Sequence, residues 1–348
     1  MEQSELKAHL KANEKNHNSR GLAEVSLNPA IHPGCQRIYE RVCKKPLIDL
    51  DPTGTVHSDD ESEKEAHAIY QEIVQKNPDW TPDQVDEAFV SRVFTPQNRA
   101  KIHSAFYLVK RKLNHWIDQQ PDTVFNSHEK SVIKSRIRKV ELQLPPPARL
   151  YQDEPDLLTK SELLYERKVT GETSLRVGGA YLLFAKSWFN VVFSLAHELG
   201  HAIDPCEIRS DGLSFPAYDR LVGCFLEHRL IAMRKTRSEC GGNDQLSETF
   251  ADWVAVQITA EILASYSTRL NGKQMIHAAQ NSVRDLCESE PGREEQPDIE
   301  FHPSPQIRIE EIFGKNPKIR NLLGCETPAQ PQSYCQFDPT PPLSSGGI

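Results

Sequence analysis

From Glu61 onward the apolar positions recur three and four residues apart, the period of helices that bury one face. Ile102, Phe106, Val109, Leu113 and Ile117 form one such stripe. Thr81, Pro82 and Gln84 supply a cap, a first-turn proline and a capping-box partner, which predicts a helix beginning at Pro82. The run Leu144-Pro-Pro-Pro-Ala148 cannot continue a helix and reads as a semi-rigid connector. Beyond it, Ser174 to Phe184 alternates around a central Gly-Gly and predicts one or two strands. Trp188, Phe189, Val191, Val192, Phe193, Leu195 and Ala196 then predict a buried helix that Pro205 must end. A second buried helix is predicted from Gln245 to Leu263, carried by Phe250, Trp253, Val254, Val256, Ile258 and Ile262.

These elements give a mainly α chain with a small β element, class α+β. Residues 1–57 mix polar and turn-forming residues, so patchy order is expected there, with Cys35 and Cys43 placed to pin the segment. A helical region is expected over 58–144, a second folded region over 149–336 and a mobile tail over 337–348.

Composition narrows the class. The chain has 348 residues, enough for two domains or one with an extension, and its 24 prolines suit long connections. Lys and Arg number 41 against 49 Asp and Glu, a net charge of −8, and no dense basic stripe appears; the cluster Lys134–Lys139 reads as a solvated helix face. A nucleic-acid partner is therefore not expected. No run approaches the roughly 18 apolar residues of a membrane span, and no signal segment opens the chain. The 8 cysteines form an even, scattered set without a Cys-x-x-Cys pair. Such a set fits disulfides in a secreted or periplasmic protein whose signal peptide is absent from this sequence, with buried thiols in a reducing cytosol as the alternative.

The chemistry concentrates at His197-Glu-Leu-Gly-His201. Histidines at i and i+4 of a helix share a face, so both imidazoles reach one metal ion while Glu198 points at its bound water. A catalytic zinc takes a third protein ligand and keeps one open position. Glu248 is the candidate, with Glu227 and His228 as competitors. Glu248 and Asp252 lie i and i+4 on an otherwise apolar helix, where buried carboxylates are costly unless paired or metal-bound. Asp252 suits a hydrogen bond to the far nitrogen of a ligating imidazole, and Asp204, three residues after His201, suits the same task.

His-Glu-x-x-His followed by Glu-x-x-Ala-Asp resembles the gluzincin metallopeptidases over about residues 175–335. Asp204 and Gly179-Ala-Tyr-Leu182 resemble the neprilysin branch, whose substrate strand carries Asn-Ala-Tyr-Tyr. Phe301-His-Pro-Ser-Pro-Gln-Ile-Arg-Ile309 resembles that branch and also the prenyl-protein and stress-membrane endopeptidases. The chain departs from both: Gly179 replaces the strand asparagine, Trp253 stands where glycine follows the aspartate, and the membrane spans are missing.

The resemblance implies a thermolysin-like catalytic core within 149–336 and one zinc ion held by His197, His201 and Glu248. Glu198 would be the general base and His302 would stabilise the oxyanion. Arg308, Gly179, Ala180 and Tyr181 would bind a peptide or protein substrate. The His302–Arg308 stretch also reads as a plain helix start, with Ser304 as cap and Pro305 in first position. The expected function is zinc-dependent peptide-bond hydrolysis. The alternatives are a catalytically inactive zinc protein with a binding or structural role, and a zinc amidohydrolase acting on a non-peptide amide.

Overall fold

In the computed structural model, residues 37–43, 59–145, 155–181, 183, 187–231, 245–287, 302–325 and 334–337 are described. The expectations for 1–36, for 146–148 of the connector and for the tail from 338 lie outside them. The described chain is mostly helical. Helices α1 (Ile38–Cys43), α2 (Asp59–Lys76), α3 (Pro82–Val93), α4 (Pro96–Asp118) and α5 (Ser127–Lys139) precede strand β1 (Glu141–Gln143). Strands β2 (Leu163–Arg167) and β3 (Thr173–Val177) follow, then α6 (Trp188–His201), α7 (Pro205–Ser210), α8 (Pro216–Glu227), α9 (Gln245–Ser265) and α10 (Gly272–Ser282). A π-helical segment, Ile307–Phe313, and α11 (Pro317–Leu322) complete the order.

Local chemistry sets these boundaries. Thr81 caps α3 by accepting from Gln84 N, and Gln84 accepts in return from Thr81 N at 2.9 Å, the capping box read from the sequence. Along α4 the apolar stripe Ile102, Phe106, Val109, Leu113 and Ile117 is buried throughout. Ser187 caps α6, which ends at His201, before Pro205.

One core runs through both regions that the proline connector was expected to separate. Trp116 of α4 meets Trp253 of α9 edge-on at 5.6 Å, and Phe337 packs on Trp253 at 5.0 Å and on Phe125 at 4.8 Å. A fully buried ring contributes roughly 1.5–3 kcal/mol by leaving water, and the half-buried Phe337 less. Strand β1 belongs to the helical region in sequence yet pairs in parallel with β3, Glu141 opposite Ser174.

The three strands form one sheet in the order β1-β3-β2. Antiparallel pairing sets Leu163 opposite Val177 and Arg167 opposite Thr173. The strand expected over 174–184 stops at Val177, because the chain is pressed against 157–160. A Cβ on Gly178 would sit 2.3 Å from the Lys160 carbonyl oxygen, and one on Gly179 would sit 1.9 Å from that of Leu158. Only glycine fits there.

The closest helix pairing is α6 on α9. A Cβ added to Gly200 would come within 2.9 Å of Ala251 Cα, so glycine lets the two backbones touch. Two described disulfides tie distant parts together, Cys43 to Cys287 and Cys224 to Cys335, and Cys206 and Cys325 are also disulfide-bonded. Cys43 thus joins α1 to the segment that follows α10. No helix among the described residues is long and apolar enough to cross a membrane.

Candidate metal centre

Helix α6 presents His197 and His201 to α9, which presents Glu248 and Asp252. The donor atoms converge: His197 Nε2 is 3.0 Å from Glu248 Oε2, His201 Nε2 is 3.6 Å from it, and the two Nε2 atoms are 3.2 Å apart. Bonds of about 2.0–2.2 Å from a tetrahedral zinc would put its nitrogen and oxygen donors roughly 3.3–3.6 Å from one another. The observed triangle is close to that size.

Hydrogen bonding explains why these atoms point inward. His197 Nδ1 lies 2.9 Å from Asp252 Oδ1, and His201 Nδ1 lies 3.0 Å from Ser247 Oγ. Ser247 Oγ in turn donates to Asp204 Oδ2 at 2.6 Å. With Ser247's proton given to Asp204, its oxygen is left to accept, so His201 carries its proton on Nδ1; Asp252 imposes the same tautomer on His197. Both Nε2 lone pairs then face one another and a carboxylate oxygen, an arrangement that favours a cation between them. Glu248 Oε2 itself is buried without a hydrogen-bond partner, although His302 Nε2 approaches to 2.9 Å. These residues fit a metal ion on donor type, spacing and orphaned oxygen alike.

Protonated, the imidazoles themselves play the part of the cation: burial opposes their charge, but Asp252 and Glu248 outweigh it and raise His197 to about 9, and Glu248 and Asp204 raise His201 likewise. Burial alone would push the Glu248 carboxyl up, but the His201 and His197 imidazoles outweigh it and hold the group well below the ordinary carboxylate range. Burial works against the Asp252 anion too, and Arg308, followed by His197, more than offsets it. Glu198 differs: burial dominates and raises its carboxyl. It takes no part in the metal group and accepts a hydrogen bond from Tyr165 N at 2.8 Å.

The other sequence-derived site residues surround this group to different degrees. Arg308 sits at the cavity wall, but its Nε donates to Asp252 Oδ2 at 2.7 Å and its Nη2 to Asp252 Oδ1 at 2.8 Å. That fork holds Asp252, which in turn meets His197 Nδ1. Asp204 is buried and caps α7 through Cys206 N and Glu207 N, reaching His201 through Ser247. Gly179 and Ala180 do not form a strand edge on the cleft; their N–H groups donate to Leu157 and Lys160 carbonyls. Tyr181 lines the cavity from the turn that follows. His302 stacks on His197 with ring centroids 6.2 Å apart. Glu227 and His228 are not in the His197 group; His228 lies near Cys224 and Cys335, whose joined sulfurs cannot ligate as thiolates.

The strand beside the metal group is β2, which the hydrophobic pattern did not single out. Gly178 N donates to Glu162 O and Lys168 N to Glu172 O, so the even-numbered residues of β2 face β3. Leu163, Tyr165 and Arg167 therefore turn their backbone groups to the opposite edge, as the Tyr165 N–H to Glu198 bond demonstrates. The Tyr165 ring lies over His201 at 6.3 Å. Leu-Leu-Tyr-Glu-Arg ahead of a turn at Gly171, φ 84°, was the available signal. Ser247 was also missed; nothing but its place before Glu248 marked it.

The cavity at this centre measures about 540 Å³ and is walled by β2, α6, the start of α9 and residues 282–286. No protein-family model matches the chain, and no curated protein matches it.

Proposed function

We propose that the chain is a zinc metallopeptidase that hydrolyses a peptide bond in an extended substrate lying along β2. The observation that carries this reading is the convergence of His197, His201 and Glu248 beside a second buried carboxylate, Glu198, that stays out of the group. A purely structural zinc site closes with four ligands and needs no neighbouring base.

Bound zinc would supply a polarised carbonyl and a water whose pKa falls to about 7. Glu198 would be the group that takes a proton from the attacking water as its oxygen bonds to the scissile carbonyl carbon, and that passes the proton to the leaving nitrogen as the C–N bond breaks. Its raised pKa suits both halves of the task. His302, beside Glu248 at the cavity wall, donates toward the carbonyl oxygen as negative charge builds there. Arg308 and Asp252 fix His197, while Ser247 and Asp204 fix His201. The outward edge of β2 offers backbone donors and acceptors to a peptide strand, and Tyr165 N–H exchanges Glu198 for substrate as the base turns to the water.

Replacing Glu198 by Gln is expected to leave zinc bound in stoichiometric amount and to lower turnover of a peptide library by roughly 10²–10⁴-fold. Metal analysis and cleavage by mass spectrometry read the two halves separately. Full activity in that variant would remove the mechanism, and a wild type that binds zinc without cleaving any peptide would favour a binding role.

A further inference from the structure

Asn190 lies in the first turn of α6, 3% exposed, and lines the cavity of the metal group. Neither its Nδ2 nor its Oδ1 has a hydrogen-bond partner. Its backbone is accounted for, since Asn190 N donates to Ser187 Oγ at 3.0 Å and Asn190 O accepts from Ser194 Oγ at 3.2 Å. The side-chain amide is thus a donor and an acceptor side by side, buried at a cavity wall and unmatched by the protein. Such a group opposes folding unless something else completes it. An extended peptide does so naturally, because one residue's N–H and C=O point to the same edge.

The position follows from the helix. Asn190 precedes His197 by two turns on the same face, about 10 Å along the axis, the span of roughly three residues of extended chain. Direction follows from β2. Arg167 Nη1 donates to Glu207 Oε2 at 2.9 Å, beyond the end of α6, while Tyr165 contacts Glu198. Strand β2 therefore runs in the same direction as α6, and its start lies toward Asn190. A peptide paired antiparallel to β2 runs against α6, its carboxyl-terminal part toward Asn190.

We propose that Asn190 is a substrate-binding residue that grips the backbone of an extended peptide about three residues to the carboxyl-terminal side of the scissile bond. This rests on the peptidase reading. The test takes a sequence cleaved by the full-length, zinc-loaded protein and presents it as two peptides, one extending past the Asn190 position and one stopping short of it. Asn190→Leu is expected to lower kcat/KM about tenfold on the long peptide and to leave the short one unchanged, with an equal or higher melting temperature.

Equal loss on both peptides overturns the proposal, as does no loss on the long one. A lower melting temperature with an unchanged long-to-short ratio also overturns it and assigns the amide to a structural water. Asn190→Ala, read by the same ratio, replaces the leucine variant if that chain does not fold. Equilibrium binding of the long peptide to zinc-loaded Glu198→Gln protein, with and without Asn190→Leu, separates the two readings. Weakened binding alongside a wild type that never cleaves keeps the subsite and removes hydrolysis; no binding at all removes both.

Discussion

Ser247 carries more than its size suggests, because its hydroxyl is the sole described link between His201 Nδ1 and Asp204 within hydrogen-bonding distance; the direct separation is 3.7 Å. Ser247→Ala leaves that imidazole without its orienting partner, so zinc affinity is expected to fall about 10–100-fold. Competition with a chromophoric chelator measures this without reference to turnover, and Ser247→Thr should recover most of it. An unchanged affinity would show that the hydroxyl does not orient His201. The candidate metal group was legible in the sequence because side chains four apart share a helix face, so the pairs His197–His201 and Glu248–Asp252 announce themselves by spacing. Ser247 and Asn190 have no such signature. Their roles come from which way a side chain faces and what it fails to meet, and spacing does not encode either.

Among the elements, the pairing of α6 with α9 sets the ligand distances, and Gly200 sets the pairing. In an exposed helix interior, Gly→Ala stabilises by up to about 1 kcal/mol. Here the new methyl would meet Ala251 Cα at 2.9 Å, a backbone atom that cannot swing aside. Gly200→Ala is therefore expected to reverse sign and destabilise by about 1–3 kcal/mol, with weaker zinc binding as α6 is displaced from Glu248. Urea melts of the chelated protein test it, and a more stable variant would show that the helices have room to part. A second junction joins α5, β2 and α7, where Arg136 and Arg167 both pair with Glu207 and Asp211. Burial pushes the Asp211 carboxyl up, but Arg167 and Arg136 outweigh it and hold the group below the ordinary range. Its folded pKa lies below its unfolded one, so its contribution is complete above about pH 4 and is lost as pH falls through the folded value. The melting-temperature gap between wild type and Asp211→Asn should stay level from neutral pH to about 5 and then close below about 4. A gap that persists in stronger acid would mean that the charge pairing is not its source. The helices themselves were legible because caps and apolar stripes are local. Strand β1 and the π-helical turn that aims Arg308 were not, since a three-residue strand exists only through its partner.

For the whole molecule, the sequence led to an expectation of two regions separated by prolines, and the structure has them sharing one aromatic core around Trp253. A proline run stops a helix, but it does not stop the chain from folding back, and long-range burial is the part that periodicity leaves unspecified. The even cysteine count was informative: the cysteines of the described residues are paired, which suits an oxidising compartment. The bridges Cys43–Cys287 and Cys224–Cys335 also overlap along the chain. A single proteolytic cut anywhere between Cys43 and Cys335 therefore leaves both fragments covalently joined. Such nicked protein would migrate as one band in denaturing gels until thiol is added, and self-cleavage in a loop would go unnoticed under non-reducing conditions.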